Sequence, residues 1–134
     1  MEKSTKDAFQ SFAEKAMKRL EEKRKTKYET LHIRSIDENI RIRELNAAEI
    51  AECTVVEDEN DPNKADKYCI YLSVVEPDLK KTAMELKDKG LIHEYPEVTE
   101  IFEMSEITEI ATEIMKLSGV IGSRKVTVVD ELKN

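Results

Sequence analysis

The sequence predicts a mainly α-helical α+β protein: a small helical domain with one β-hairpin, preceded by a long amphipathic N-terminal helix. Three observations lead to that class. Apolar residues recur at spacings of three and four through most of the 134 residues, the period of helices that bury one face. Only three Gly and three Pro interrupt them, too few for a turn-dense or disordered chain. One stretch, residues 28–45, changes to alternation, the period of a strand. A hydrophobic fraction of 40% supplies the core of one domain of this length without disulfide staples. The expected division is residues 1–27 as a helical arm, 28–119 as hairpin plus helical core, and 120–134 as a C-terminal tail.

The first helix spans residues 4–26. Ser4 or Thr5 can cap its start, and Asp7 is favourable in its first turn. Phe9, Phe12, Ala13, Ala16, Met17 and Leu20 then form one narrow apolar stripe on an otherwise charged helix. In the hairpin, Leu31, Ile33 and Ser35 alternate with His32, Arg34 and Ile36, and Ile40, Ile42 and Glu44 alternate with Arg41, Arg43 and Leu45. Asp37-Glu38-Asn39 is the expected connection, without the Gly that a tight primed turn favours. Two strands alone are marginal in water, so the hairpin must pack on a helix.

Asn46 and Glu49 have the spacing of a capping box, ahead of a helix with Ile50, Ala51 and Cys53. Residues 57–63 read as an acidic loop whose Pro62 opens the next helix, with Ala65, Tyr68, Cys69 and Leu72 on one side and an end near Pro77. Leu79, Ala83 and Leu86 mark a short helix stopped by Gly90. Val98, Ile101 and Phe102 suggest another after Pro96. Ser105 is the expected cap of a last helix carrying Ile107, Ile110, Ala111, Ile114 and Met115, with Gly119 as its stop. In the tail, the run Val126 to Val129 fits a strand, a docked arm or a disordered segment. No internal repeat is visible.

Charge narrows the function. The net charge is −7, which works against attraction to nucleic acid or anionic membrane. Residues 1–30 carry nine Lys/Arg against six Asp/Glu, and the remainder thirteen against twenty-three. Opposite-signed ends can pair within a molecule or between neighbours. No apolar run approaches the roughly 20 residues that span a bilayer, and MEKSTKDAFQ has no apolar segment of a secretory signal. Cys53 and Cys69 lack metal-type spacing and sit among apolar residues, as buried thiols of a reducing compartment do. Together these features fit a cytoplasmic protein.

Motifs for catalysis are missing. His32 and His93 have no metal-ligand spacing and read as surface or rim histidines. There is no dinucleotide fingerprint, phosphate loop or nucleophile elbow. Counted from Asp58 as a calcium loop, the sixth and twelfth positions hold Asn63 and Cys69 instead of the required Gly and Glu. Glu94, Glu97, Glu100, Glu103, Glu106 and Glu109 recur every third residue; that step drifts around a helix, so they read as the polar sides of two helices. The expectation is a non-catalytic protein without cofactor or metal that acts by binding other proteins. The apolar stripe is either part of the chain's own core or an arm reaching a neighbour, in which case Phe9, Phe12, Met17 and Leu20 are the partner-binding residues. The alternative is a small regulatory or nucleic-acid-binding protein using the basic end of the first helix: Lys18, Arg19, Lys23, Arg24, Lys25 and Lys27. That end lacks interleaved aromatics and is diluted by Glu14, Glu21 and Glu22.

The order of segments carries a resemblance. HIRSIDENIRIREL leads into NAAEI, then into VVEPDLKKTAMELKDKG and EVTEIFEMSEITEIATEIMKLSG, and the chain closes on ELKN. Over residues 30–134 this resembles the tail assembly chaperones of long-tailed bacteriophages and prophages, particularly the XkdN-like group from Gram-positive hosts. The resemblance implies binding to the tape measure protein, recruitment of tail tube subunits around it, self-association into a homo-oligomer, and residence in the host cytoplasm. It also implies a longer form made by frameshifting, for which Leu132-Lys133-Asn134 would be encoded by a slippery string. The missing hairpin Gly and the highly charged first helix depart from that pattern.

Overall fold

A computed structural model of the chain describes residues 5–56, 58–122 and 125–129. Helix α1 (Thr5–Lys23) has Asp7 in its first turn and Lys23 in its last, both favourable to the helix dipole. The proposed Ser4 cap lies outside the described residues. Strands β1 (Tyr28–Ile33) and β2 (Glu38–Arg43) pair antiparallel, with Leu31 opposite Ile40 and Ile33 opposite Glu38. Their alternation is as expected: Ile33, Ile40 and Ile42 are buried while His32 and Arg41 face outward.

The turn differs from the expected Asp37-Glu38-Asn39. A 3-10 segment (Arg34–Ile36) follows β1 directly, and Asp37 reverses the chain at φ 49°. Asp tolerates this left-handed conformation better than most residues and stands where Gly was missing. Ser35 and Ile36 therefore leave the strand, and Glu38 and Asn39 join it. The alternation also breaks after Arg43, because Leu45 is buried and Glu44 turns back to accept the Lys27 N–H at 2.7 Å.

Helix α2 (Ala47–Val55) starts on the expected capping box. The Glu49 N–H donates to Asn46 Oδ1 at 2.9 Å and the Asn46 N–H to Glu49 Oε1 at 3.1 Å. Helix α3 (Lys64–Ser73) begins two residues after Pro62, which lies in the preceding turn instead of opening the helix. Its fully buried side is Cys69, Ile70 and Ser73, with Tyr68 and Leu72 at the margin. The sequence predicts a helix ending near Pro77; instead a third strand, β3 (Val74–Glu76), adds to β2, Val74 opposite Ile42. The sheet order β1-β2-β3 leaves β1 at an edge.

Helix α4 (Leu79–Asp88) ends before Gly90, whose φ of 73° lets the chain leave the helix. A 3-10 segment (Tyr95–Ile101) stands where a short helix was expected, with Val98 buried and Ile101 exposed. Helix α5 (Met104–Leu117) starts one residue before Ser105, and Glu103 with Glu106 forms its capping box. Ile107, Ile110, Ala111 and Ile114 are its buried stripe, and α5 packs on α3, β1 and β2. Residues 125–129 form neither helix nor strand, and Val126, Val128 and Val129 are exposed. Residues 130–134, with the closing Lys-Asn, lie outside the described residues.

One core joins β1, β2, β3, α2, α3, α4, the second 3-10 segment and α5. Two long-range polar links close it. The buried Ser73 hydroxyl donates to the Arg43 carbonyl at 2.6 Å, and the Leu45 N–H donates to Ser118 Oγ at 2.9 Å. Helix α1 buries none of its residues.

The hairpin is tied to α2 by a bidentate pair. Arg43 Nη1 and Nη2 donate to the two Glu49 carboxylate oxygens at 2.9 and 2.6 Å. The hydrogen bond to Arg43 and then the Asn46 N–H hold the Glu49 carboxyl below the usual glutamate value against its partial burial. A depressed native value stabilises the fold in full above the ordinary glutamate value of about 4.3, and that contribution is lost as pH falls from there through the lowered native value. Glu49→Gln should therefore cost about 1–2 kcal/mol at pH 7. Urea unfolding at pH 7 and in acid should show the gap between variant and wild type closing at low pH.

Candidate protein-interaction surface

Helix α1 forms because its residues favour helix and nothing interrupts it from Thr5 to Lys23. Phe9 and Phe12 are each 74% exposed, Met17 61% and Leu20 60%. The helix brings all four expected partner-binding residues onto one face but does not insert them into the chain's own core. Single exposed apolar residues are ordinary, whereas a row of four on one helix face is what partner-binding surfaces present.

Helical spacing sorts the charges around that row. Arg19 and Lys23, one turn apart, form a basic margin along one side of the stripe. Lys6 and Glu21 lie along the other side. Asp7, Glu14 and Glu22, with Lys15 and Lys18, project from the opposite face.

A second feature on the body was missed by sequence reasoning. A groove of about 440 Å3 runs between the β1 edge and α5. Leu31, Ile33 and Ile110 contribute its apolar lining, and His32 and Arg34 stand on the β1 side. Glu106, Glu109 and Glu113, at i, i+3 and i+7, form the α5 wall. Three consecutive residues of β1, Leu31 to Ile33, and Arg34 just after it reach the groove, as an edge strand permits. Glu106 also braces the hairpin turn: the Ser35 hydroxyl donates to it at 2.5 Å and the Ser35 N–H at 3.0 Å. The Ser35 hydroxyl, then the Glu103 and Ser35 N–H groups, hold the Glu106 carboxyl below its ordinary value. The signal in sequence was the Glu spacing on α5; the edge position of β1 had none.

The remaining acidic residues largely serve local structure. The Lys67 ammonium bridges Asp61 at 3.0 Å and Glu100 at 3.3 Å, tying the acidic loop to the 3-10 segment. Burial acts to lower the Lys67 value, and hydrogen bonds to Asp61 and Glu100 outweigh it. These groups flank a cleft of about 260 Å3 between the loop, α3 and the 3-10 segment. Glu97 there accepts the N–H groups of His93 and Glu94. His32 Nδ1 lies 2.8 Å from Asn39 Oδ1, across the hairpin. Cys53 and Cys69 are buried and unbridged, and burial pushes both thiols up, away from the reactive thiolate.

Among the described residues, no three or more His, Cys, Asp or Glu are grouped to hold a metal ion. No described helix is long and apolar enough to cross a membrane. No family model, curated protein or solved structure matches the chain.

Proposed function

We propose that the protein is a non-catalytic tail assembly chaperone of a long-tailed phage or prophage. It acts in the cytoplasm of the bacterial host, binds the tape measure protein and helps to recruit tail tube subunits around it. The observation that carries this reading is the apolar stripe of α1, which belongs to a protein with a complete core of its own and is left open. A tape measure is a long helical protein that exposes apolar stripes until the tube encloses it. An amphipathic helix covers such a stripe side by side, as in helix-to-helix recognition. The acidic body, turned outward, keeps the complex dispersed.

The test is co-expression with the tape measure protein encoded in the same gene cluster. The expected result is that the tape measure remains in the soluble fraction and is recovered with the tagged chaperone. A tape measure that precipitates equally with and without this chain, and never co-purifies, would sink the reading.

A further inference from the structure

We propose that α1 of one copy docks in the groove between β1 and α5 of a second copy. The two surfaces match in chemistry. The helix offers Phe9, Phe12, Met17 and Leu20, all exposed, to a groove lined by the half-buried Leu31 beside the core residues Ile33 and Ile110. The basic margin of the stripe, Arg19 and Lys23, has the same one-turn spacing as Glu109 and Glu113 on the α5 wall. The other margin carries both Lys6 and Glu21, against a wall with His32 and Arg34, so the charge match rests on the α5 side of the seam. A helix seated there also covers the open edge of β1, which otherwise offers an unpaired backbone to any strand that meets it.

The chain's own α1 does not occupy this groove: it buries none of its residues and adds none to the lining. The Lys25 N–H still donates to the Glu22 carbonyl at 3.1 Å as the helix ends. At Lys27 the chain has already joined the sheet, donating to the Glu44 carboxylate and accepting the Glu44 N–H at 2.9 Å. Only Thr26 separates these bonds, so folding α1 back along β1 would break them. A second copy has no such restriction. Exchange can be reciprocal, each copy lending a helix and receiving one, which closes a two-fold assembly.

The same stripe is the one assigned above to the tape measure, so client and second copy compete for it. Self-association needs no client and is measured on this chain alone; the two readings therefore fail separately.

The experiment is sedimentation velocity of the full chain over a range of concentrations, at about 50 mM and about 500 mM salt. The wild type should show a mass above the 15.5 kDa of one copy, weakening at high salt. Glu109→Lys with Glu113→Lys, or Arg19→Glu with Lys23→Glu, should each weaken association about ten-fold or more. Combining all four changes should restore it. The second pair lies on a helix that buries nothing, so its effect does not depend on the body's stability. Three results would each overturn the proposal: a wild type monomeric at every concentration, association indifferent to the α5 reversal, or failure of the four-fold variant to recover. Indifference to the α5 reversal would instead indicate pairing of one α1 with another.

Discussion

Replacing Phe9, Phe12, Met17 and Leu20 together by Gln is expected to abolish the tape measure binding proposed above while leaving thermal stability nearly unchanged. Gln keeps a high helix propensity, so α1 itself should persist. Each of the four side chains, buried against a partner, is worth about 1–3 kcal/mol, and binding energy concentrates in such anchors. Losing all four should weaken binding by about 1,000-fold or more. The melting temperature should move by less than about 2 °C, since the four make no part of the core. Co-precipitation and calorimetry on one preparation read both quantities. A drop of more than about 5 °C would mean that the stripe is packed within the folded chain.

Ile114→Ala is expected to have the opposite profile, a large loss of stability from a residue no partner touches. Ile114 is 0% exposed and completes the α5 stripe with Ile107 and Ile110. That stripe faces α3 and the sheet at once, so neighbours on two sides would have to move to fill the void. Such truncations cost about 2–5 kcal/mol according to how far the surroundings collapse. For a chain of this length that lowers the melting temperature by roughly 8–20 °C. Denaturant unfolding should show a lower midpoint with an unchanged slope. A cost below about 1 kcal/mol would mean that α5 is loosely seated.

Features carried by a few neighbouring residues could be read without the structure. The Asn46–Glu49 capping box, the stops at Gly90 and Gly119 and the isoleucine stripe of α5 each have a local cause within one or two helical turns. Others depended on partners distant in sequence. Val74–Glu76 continues an apolar helical run in sequence and becomes a strand only because Ile42 is there to pair with Val74. The cap of α5 at Glu103 was obscured by Ser105, the better cap by type, although the Glu103–Glu106 spacing was visible. Asp37 was assigned to the turn correctly, but its left-handed backbone moved the turn toward β1. For the candidate site, the pattern of the stripe was legible and its exposure was not. Periodicity says that a face is apolar and does not say what, if anything, lies against it. The groove was illegible for a further reason: its two walls come from segments more than 70 residues apart.

The two serine links have a consequence for the order in which the molecule comes into being. Ser73 reaches back 30 residues to Arg43, and Ser118 reaches back 73 residues to Leu45. Helix α5 supplies Ile107, Ile110 and Ile114, a whole wall of the core. On a ribosome the hairpin therefore waits, half-covered, until residue 118 has emerged. Helix α1 depends on none of this, because its hydrogen bonds are local and it leaves the tunnel first. The nascent protein thus displays its apolar stripe before the body behind it has closed. Under the function proposed above, binding through this stripe would therefore not have to wait for the body to fold.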